Sequence, residues 1–218
     1  HKKIKVRHLL NMTSGVVFNE AGSITETDWV RGFFDSLVLT PPGKTFHYNS
    51  MNSYILSAIL KKITGVGLME YLTPRLWEPL GVKNVFWELS PSGIEKGGWG
   101  LYIIPEDLAK IGQLYLQGGI WNGKQLISRE WIEAATSKKV TAPQGFGDFN
   151  YGYHIWVGRQ QHCYLFNGMF GQNMICFPDT DMIIIENAGN NEMFQQSDFF
   201  RLVKKYFGKN FRPGAAQP

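Results

Sequence analysis

The 218 residues carry a net charge of +4, with 44% hydrophobic and 18% charged residues. These proportions exclude a disordered chain, and no apolar run reaches the roughly 18 residues of a membrane span. Basic residues gather only near the ends, in "HKKIK" and "KKYFGKNFR", so no basic stripe for nucleic acid is expected.

In chain order, "IKVRHLLNMTSGVV" runs from a short apolar stretch into the turn Thr13-Ser14-Gly15. A helix is expected over about residues 26–39, with Trp29, Val30, Phe33, Phe34 and Leu37 on its apolar face. Pro41-Pro42-Gly43 ends it. A second helix is expected over about 50–63, closed by Gly65 in the helix C-terminal position. "LMEYLTPRLWEPLGV" reads as a further helix, disturbed at Pro74. After the glycine-rich "GGWG", Pro105 suits a first helical position, and Leu108, Ile111, Leu114 and Tyr115 form the buried stripe. Asn122-Gly123 predicts a hairpin turn, and Ser128 an N-cap. From Tyr151 the texture changes. "YGYHIWVGR", "HCYLFNGMF", "NMICFPDT" and "DMIIIENAGN" predict four sequential antiparallel strands. "SDFFRLVKKYF" predicts a covering helix with Phe199, Leu202, Val203 and Tyr206 inward. The expected class is therefore α+β. A mainly helical part spans 1–150, a sheet and C-terminal helix span 151–208, and 209–218 form a disordered tail.

Cys163 and Cys176 both fall in strand-like runs, where reduced core residues and a cross-strand pair both fit. Five histidines show no zinc-like spacing, so neither a metal nor any other cofactor is expected. Gly118 to Gln125 approaches a phosphate-binding loop, but it ends in Gln where a hydroxyl is needed, and a helix precedes it.

The stretch richest in chemistry is "PPGKTFHYNSMNSYILSAILKKITG". Ser50 suits a helix N-cap, with Tyr48 packed beneath it. The same residues also suit a hydrolytic site. With "VRHLLNMTSG" before it, and "EPLGV", "GGWGLYIIPEDLAKIGQLYLQGG", "YGYHIWV" and "FNGMFGQNMICFPDTDMIIIENAGN" after it, the chain resembles the serine β-lactamase and penicillin-binding protein superfamily. The likeness is to its class C-like esterase and amidase branch, and it runs from about Ile4 to Phe207. The resemblance implies a β-lactamase/transpeptidase-like fold and an acyl-enzyme mechanism, in which a serine attacks a carbonyl and water then clears the acyl group. Tyr48 takes the place of the proton-relaying tyrosine, and Ser50 stands in the third position of that motif. Asn167, Gly168 and Met169 take the third-motif strand, with the Met169 N–H completing the oxyanion hole. Gly98 and Trp99 line the cleft floor, and Phe166 stands where the family carries Lys or His. That departure removes a cation for a substrate carboxylate, and favours a neutral ester or amide over a β-lactam or D-amino-acid peptide.

The family's nucleophile motif, Ser-x-x-Lys, is absent from these 218 residues. Ser57 and Ser92 each have a lysine one place too far, and Thr136-Ser-Lys-Lys139 begins with threonine. The expectation is a chain lacking the family's N-terminal strands and nucleophile helix, inactive alone, and prone to dimerise through an unpaired sheet edge. A non-catalytic binding protein of the same fold is the alternative. Compartment stays open between export and cytoplasm.

Overall fold

The computed structural model describes residues 1–18, 27–193 and 195–208. Two compact units divide at Ile104/Pro105. The sequence reading draws its boundary at 150/151, a point that a strand, Phe149–Tyr151, runs across.

The first unit begins with helix α1 (Val6–Leu10) and strand β1 (Val16–Val17). Helix α2 (Trp29–Asp35) starts at Asp28, whose side chain accepts from Arg31 N at 3.0 Å. It stops well short of residue 39, because strand β2 (Leu37–Val38) pairs with β1. Leu37 and Phe34, expected inside, are exposed as a result. Glu26, the expected start, lies outside the described residues. Helix α3 (Met51–Thr64) ends at Gly65, whose φ of 80° is the left-handed geometry that glycine adopts without a steric cost. Its Met51, Tyr54 and Ile55 close a core with Leu9, Val16, Trp29 and Phe33. Helix α4 (Leu68–Leu72) passes into a π-helical turn, Thr73–Trp77, and then α5 (Glu78–Leu80). Pro74 lies in that turn, where its missing N–H and its ring disfavour a regular α-helix. Strands β3 (Phe86–Trp87) and β4 (Leu101–Tyr102) form a short antiparallel pair.

The second unit opens with helix α6 (Pro105–Leu116), followed by the hairpin β5 (Ile120–Trp121) and β6 (Lys124–Gln125). Asn122 and Gly123 both take positive φ, as a type I′ turn requires. Ser128 caps α7 (Arg129–Ala135), accepting from Trp131 N at 3.2 Å. The sheet is a sequential antiparallel meander of β7 (Phe149–Tyr151), β8 (Trp156–Gly158), β9 (Tyr164–Gly168), β10 (Gln172–Phe177) and β11 (Met182–Asn187). It has one strand more than expected, because "YGYHIWVGR" turns at His154, φ 58°, and contributes to two strands. Helix α6 packs on β10 and β11. A Cβ at Gly112 would lie 2.9 Å from Met174 Sδ and 3.0 Å from Ile183 Cδ1, so the helix approaches the sheet at the one residue without a side chain.

Helix α8 (Gln196–Phe207) buries Phe199, Phe200 and Val203, and the Phe200 ring lies 4.9 Å from Phe149. Leu202 and Tyr206 are 44% and 69% exposed, so the buried stripe is rotated from the expected one. Residues 209–218, read as a disordered tail, lie outside the described residues. Both cysteines are free and buried. Cys176 is the cross-strand partner of Tyr164, and Cys163 precedes the first residue of β9. No helix of the described residues is long and apolar enough to cross a membrane.

Candidate active site

The candidate residues of the first unit stand where the chain leaves the Pro-Pro-Gly turn and enters α3. Two backbone bonds hold the approach: Gly43 N donates to Thr13 O at 2.8 Å, and His47 N to Met12 O at 2.8 Å. His8 lies under the turn, with Nε2 placed 3.1 Å from where a Gly43 Cβ would sit. Burial, then the positive charges of Arg7 and Lys5, hold its pKa below the ordinary histidine value. Tyr48 is 39% exposed, so it is not buried beneath the helix.

Ser50 occupies the cap position, but its side chain makes no capping bond there and its backbone is already helical. The residue between the two candidates does that work. Buried Asn49 accepts from Met51 N at 2.9 Å and donates to Val16 O at 3.1 Å, tying the mouth of α3 to β1. Each such bond contributes about 1 kcal/mol. The sequence reading missed Asn49, although Asn is as strong a cap former as Ser.

Gly97 and Gly98 lie flush against the first turn of α3. A Cβ on Gly98 would fall 2.6 Å from Ser50 O, and one on Gly97 2.7 Å from Ser53 O. The structure thus brings Gly98, which is exposed, to the backbone of Ser50. Trp99 stacks on Trp29 with centroids 5.5 Å apart, and Trp29 meets Tyr54 edge-on at 5.1 Å. The Trp99 ring is thus packed against the core of this unit. Its carbonyl accepts from Trp87 Nε1 at 2.9 Å. Glu88 braces the loop, pairing with Lys96 and accepting from Tyr102 Oη at 2.8 Å. Those bonds, that to Lys96 first, hold the Glu88 carboxyl below its ordinary pKa.

In the second unit, β9 carries Phe166, Asn167 and Gly168 to the hairpin turn formed by 169–171. Phe166 faces α6. Its ring meets Tyr115 edge-on at 5.3 Å and Tyr164 at 6.1 Å, so most of its surface is spent on packing. Asn167 points to the other face. Its Nδ2 donates to Asn173 Oδ1 at 2.7 Å, and Asn173 Nδ2 donates in turn to Glu186 Oε2 at 2.7 Å. The three residues are direct cross-strand partners on β9, β10 and β11. Met169 is 45% exposed, and Phe170 at the hairpin tip holds φ 65°, an uncommon conformation for a bulky residue. That tip is held by its neighbours: Phe170 N donates to Met193 O at 3.1 Å, and Asn190 N to Phe170 O at 3.0 Å. Asn173 and Glu186 were not singled out from sequence, since their role depends on strand register.

Comparison with known proteins places these features in a family. A curated 6-aminohexanoate-dimer hydrolase of Paenarthrobacter ureafaciens is 27% identical over 150 residues, covering 65% of this chain and 38% of its own. A Bacillus anthracis structure provisionally described as a 6-aminohexanoate-dimer hydrolase superposes with a TM-score of 0.82 at 21% identity, covering 94% of this chain and 60% of that one. A D-stereospecific amidohydrolase from a Streptomyces species gives a TM-score of 0.71 at 15% identity, covering 95% of this chain and 73% of that one. The chain thus spans about 38% of the length of the curated relative. Structural likenesses at this identity carry the fold, which is the β-lactamase/transpeptidase-like α+β fold read from the sequence. The β-lactamase family model matches residues 1–187, and the chain belongs to that hydrolase family.

Proposed function

We propose that this chain is the C-terminal part of a serine hydrolase that cleaves a small ester or amide through an acyl-enzyme. The observation that carries the reading is Tyr48: a tyrosine 39% exposed, on backbone fixed from both sides, at the entrance to α3. A tyrosine so held can pass a proton between the attacking oxygen and the leaving group, a role worth about 10²- to 10⁴-fold in rate. Ser50, two residues on, takes the motif's third position as a hydrogen-bonding group, and Gly98, exposed against the Ser50 backbone, supplies a floor without a side chain. Met169 offers the oxyanion N–H, whose loss costs about 3 kcal/mol in comparable sites. Asn167 and Gly168 position that strand end.

The relatives named for amide hydrolysis support an amide or ester substrate. The engagement of Phe166 in packing supports a site without a cation at that position. The serine and lysine of the nucleophile motif, absent from residues 1–218, are assigned to a preceding segment of the protein. Incubation of the 218-residue chain with p-nitrophenyl acetate or a penicillin, read by intact mass, then yields no stable adduct. An adduct on any serine of this chain overturns the assignment. The absence of Ser-x-x-Lys also favours one second reading, a binding protein of the same fold without acyl chemistry. An upstream coding frame containing that pair excludes it.

The outer edge of β11 has no strand partner among the described residues. Its apolar run Met182-Ile183-Ile184-Ile185 suits edge pairing with a second copy. The isolated chain is therefore expected to dimerise, and a monomer by light scattering at high concentration contradicts this.

A further inference from the structure

The ladder across β9, β10 and β11 has a direction. A carboxylate accepts hydrogen bonds and donates none. Glu186 therefore requires Asn173 to present its Nδ2, and the opposite end of that amide, Oδ1, faces Asn167. Asn167 must in turn present its own Nδ2 inward. Asn173 is 1% exposed, so it has no water with which to compensate for a reversed amide. A reversed Asn167 would set two acceptors against each other, at a cost comparable to an unsatisfied buried polar group. The charge on the third strand thus fixes an amide two strands away. Asn167 is only partly buried, its Oδ1 takes no part in the ladder, and among the described residues no group donates to it.

We propose that this fixed oxygen is a specificity element, one that accepts a hydrogen bond from an N–H of the substrate, and that Glu186 and Asn173 are the residues positioning it. Such an acceptor favours secondary amides over the isosteric esters, which have no N–H to give. A site that pairs a substrate N–H discriminates strongly against an analogue lacking it. The inference rests on Asn167 belonging to the proposed hydrolytic site, and it narrows the substrate class from ester or amide to amide.

The test uses the 218-residue chain and two probes differing in one group, N-methylhexanamide and methyl hexanoate, with binding followed by NMR chemical-shift titration. The wild-type chain is expected to bind the amide about tenfold more tightly than the ester, the value of one good hydrogen bond. In Glu186→Gln, which can donate as well as accept, the side-chain amide signals of Asn167 and Asn173 shift and the preference shrinks toward unity. Asn167→Leu, which needs no ladder partner, abolishes the preference as well. Equal binding of the two probes by the wild type overturns the inference, as do Asn167 signals unmoved in Glu186→Gln. In the protein expressed from the complete coding frame, a rate insensitive to Tyr48→Phe would sink the hydrolase reading and leave these signals untouched, so the two failures are separable.

Discussion

In the first unit the candidate residues are held chiefly by main chain, with one side chain, Asn49, bonding to it. Thr13 and Met12 bond the approach to Tyr48, Asn49 bonds the mouth of α3 to β1, and Gly97 and Gly98 press directly on helical carbonyls. In the second unit, Asn167 is held by side chains, through a ladder that depends on strand register and one carboxylate. The two devices fail differently. Main-chain positioning breaks when bulk is added at the glycines that press on α3. Side-chain positioning breaks when a single donor or acceptor is exchanged, with no bulk added.

The largest stability effect should come from adding bulk in the first unit. Gly97 combines φ 67° with a Cβ position 2.7 Å from Ser53 O, so Gly97→Ala strains the backbone and displaces the loop from α3. A loss of about 3 kcal/mol is expected from strain of this kind, read by urea unfolding. A loss below about 0.5 kcal/mol would mean that the close approach is not what holds Tyr48.

A smaller effect is expected from acid on the second unit. Burial pushes the pKa of His154, at the β7–β8 turn, down to about 4. The folded state then binds fewer protons than the unfolded state between the ordinary value near 6.5 and about 4. Stability is therefore full above pH 6.5 and falls as pH drops through that window, by on the order of 1–3 kcal/mol. His154→Asn, which tolerates the positive φ at this position, should flatten the pH dependence. A wild-type profile already flat from pH 7 to 4 would contradict the assignment.

The smallest effect concerns the cysteines. Burial pushes both thiols up to about 12. Neither should react with a disulfide reagent at pH 8 in the native state, and both should react after unfolding. Rapid labelling of either native thiol would show that the sheet opens readily.

Much of the architecture is legible in the sequence, for physical reasons. Gly65, Gly118-Gly119 and Asn122-Gly123 mark backbone conformations open to few other residues, and the structure uses them at a helix end, a stop and a hairpin. Alternation of apolar residues likewise marks the meander. Periodicity alone misjudges α2, since Leu37 continues the helical spacing but pairs in β2, a long-range choice that local spacing cannot register. It also misjudges α8, where Phe200 rather than Leu202 turns inward. Within the candidate site, Tyr48 is legible because a turn and a helix flank it. Asn49 is obscured by two more reactive neighbours. Asn173 and Glu186 are legible only once register pairs them with Asn167.

The central claim is that Tyr48 relays a proton in an acyl-transfer site. It is tested most directly by Tyr48→Phe in the protein expressed from the complete coding frame, assayed on p-nitrophenyl acetate and on a secondary anilide. The account predicts a drop in kcat/KM of about 10²- to 10⁴-fold, with the fold retained, as read by an unchanged circular dichroism spectrum, since the substitution keeps the ring of a residue that is 39% exposed. Activity within about twofold of wild type would contradict a relay role measured in orders of magnitude, and would leave Tyr48 a residue of the cleft wall.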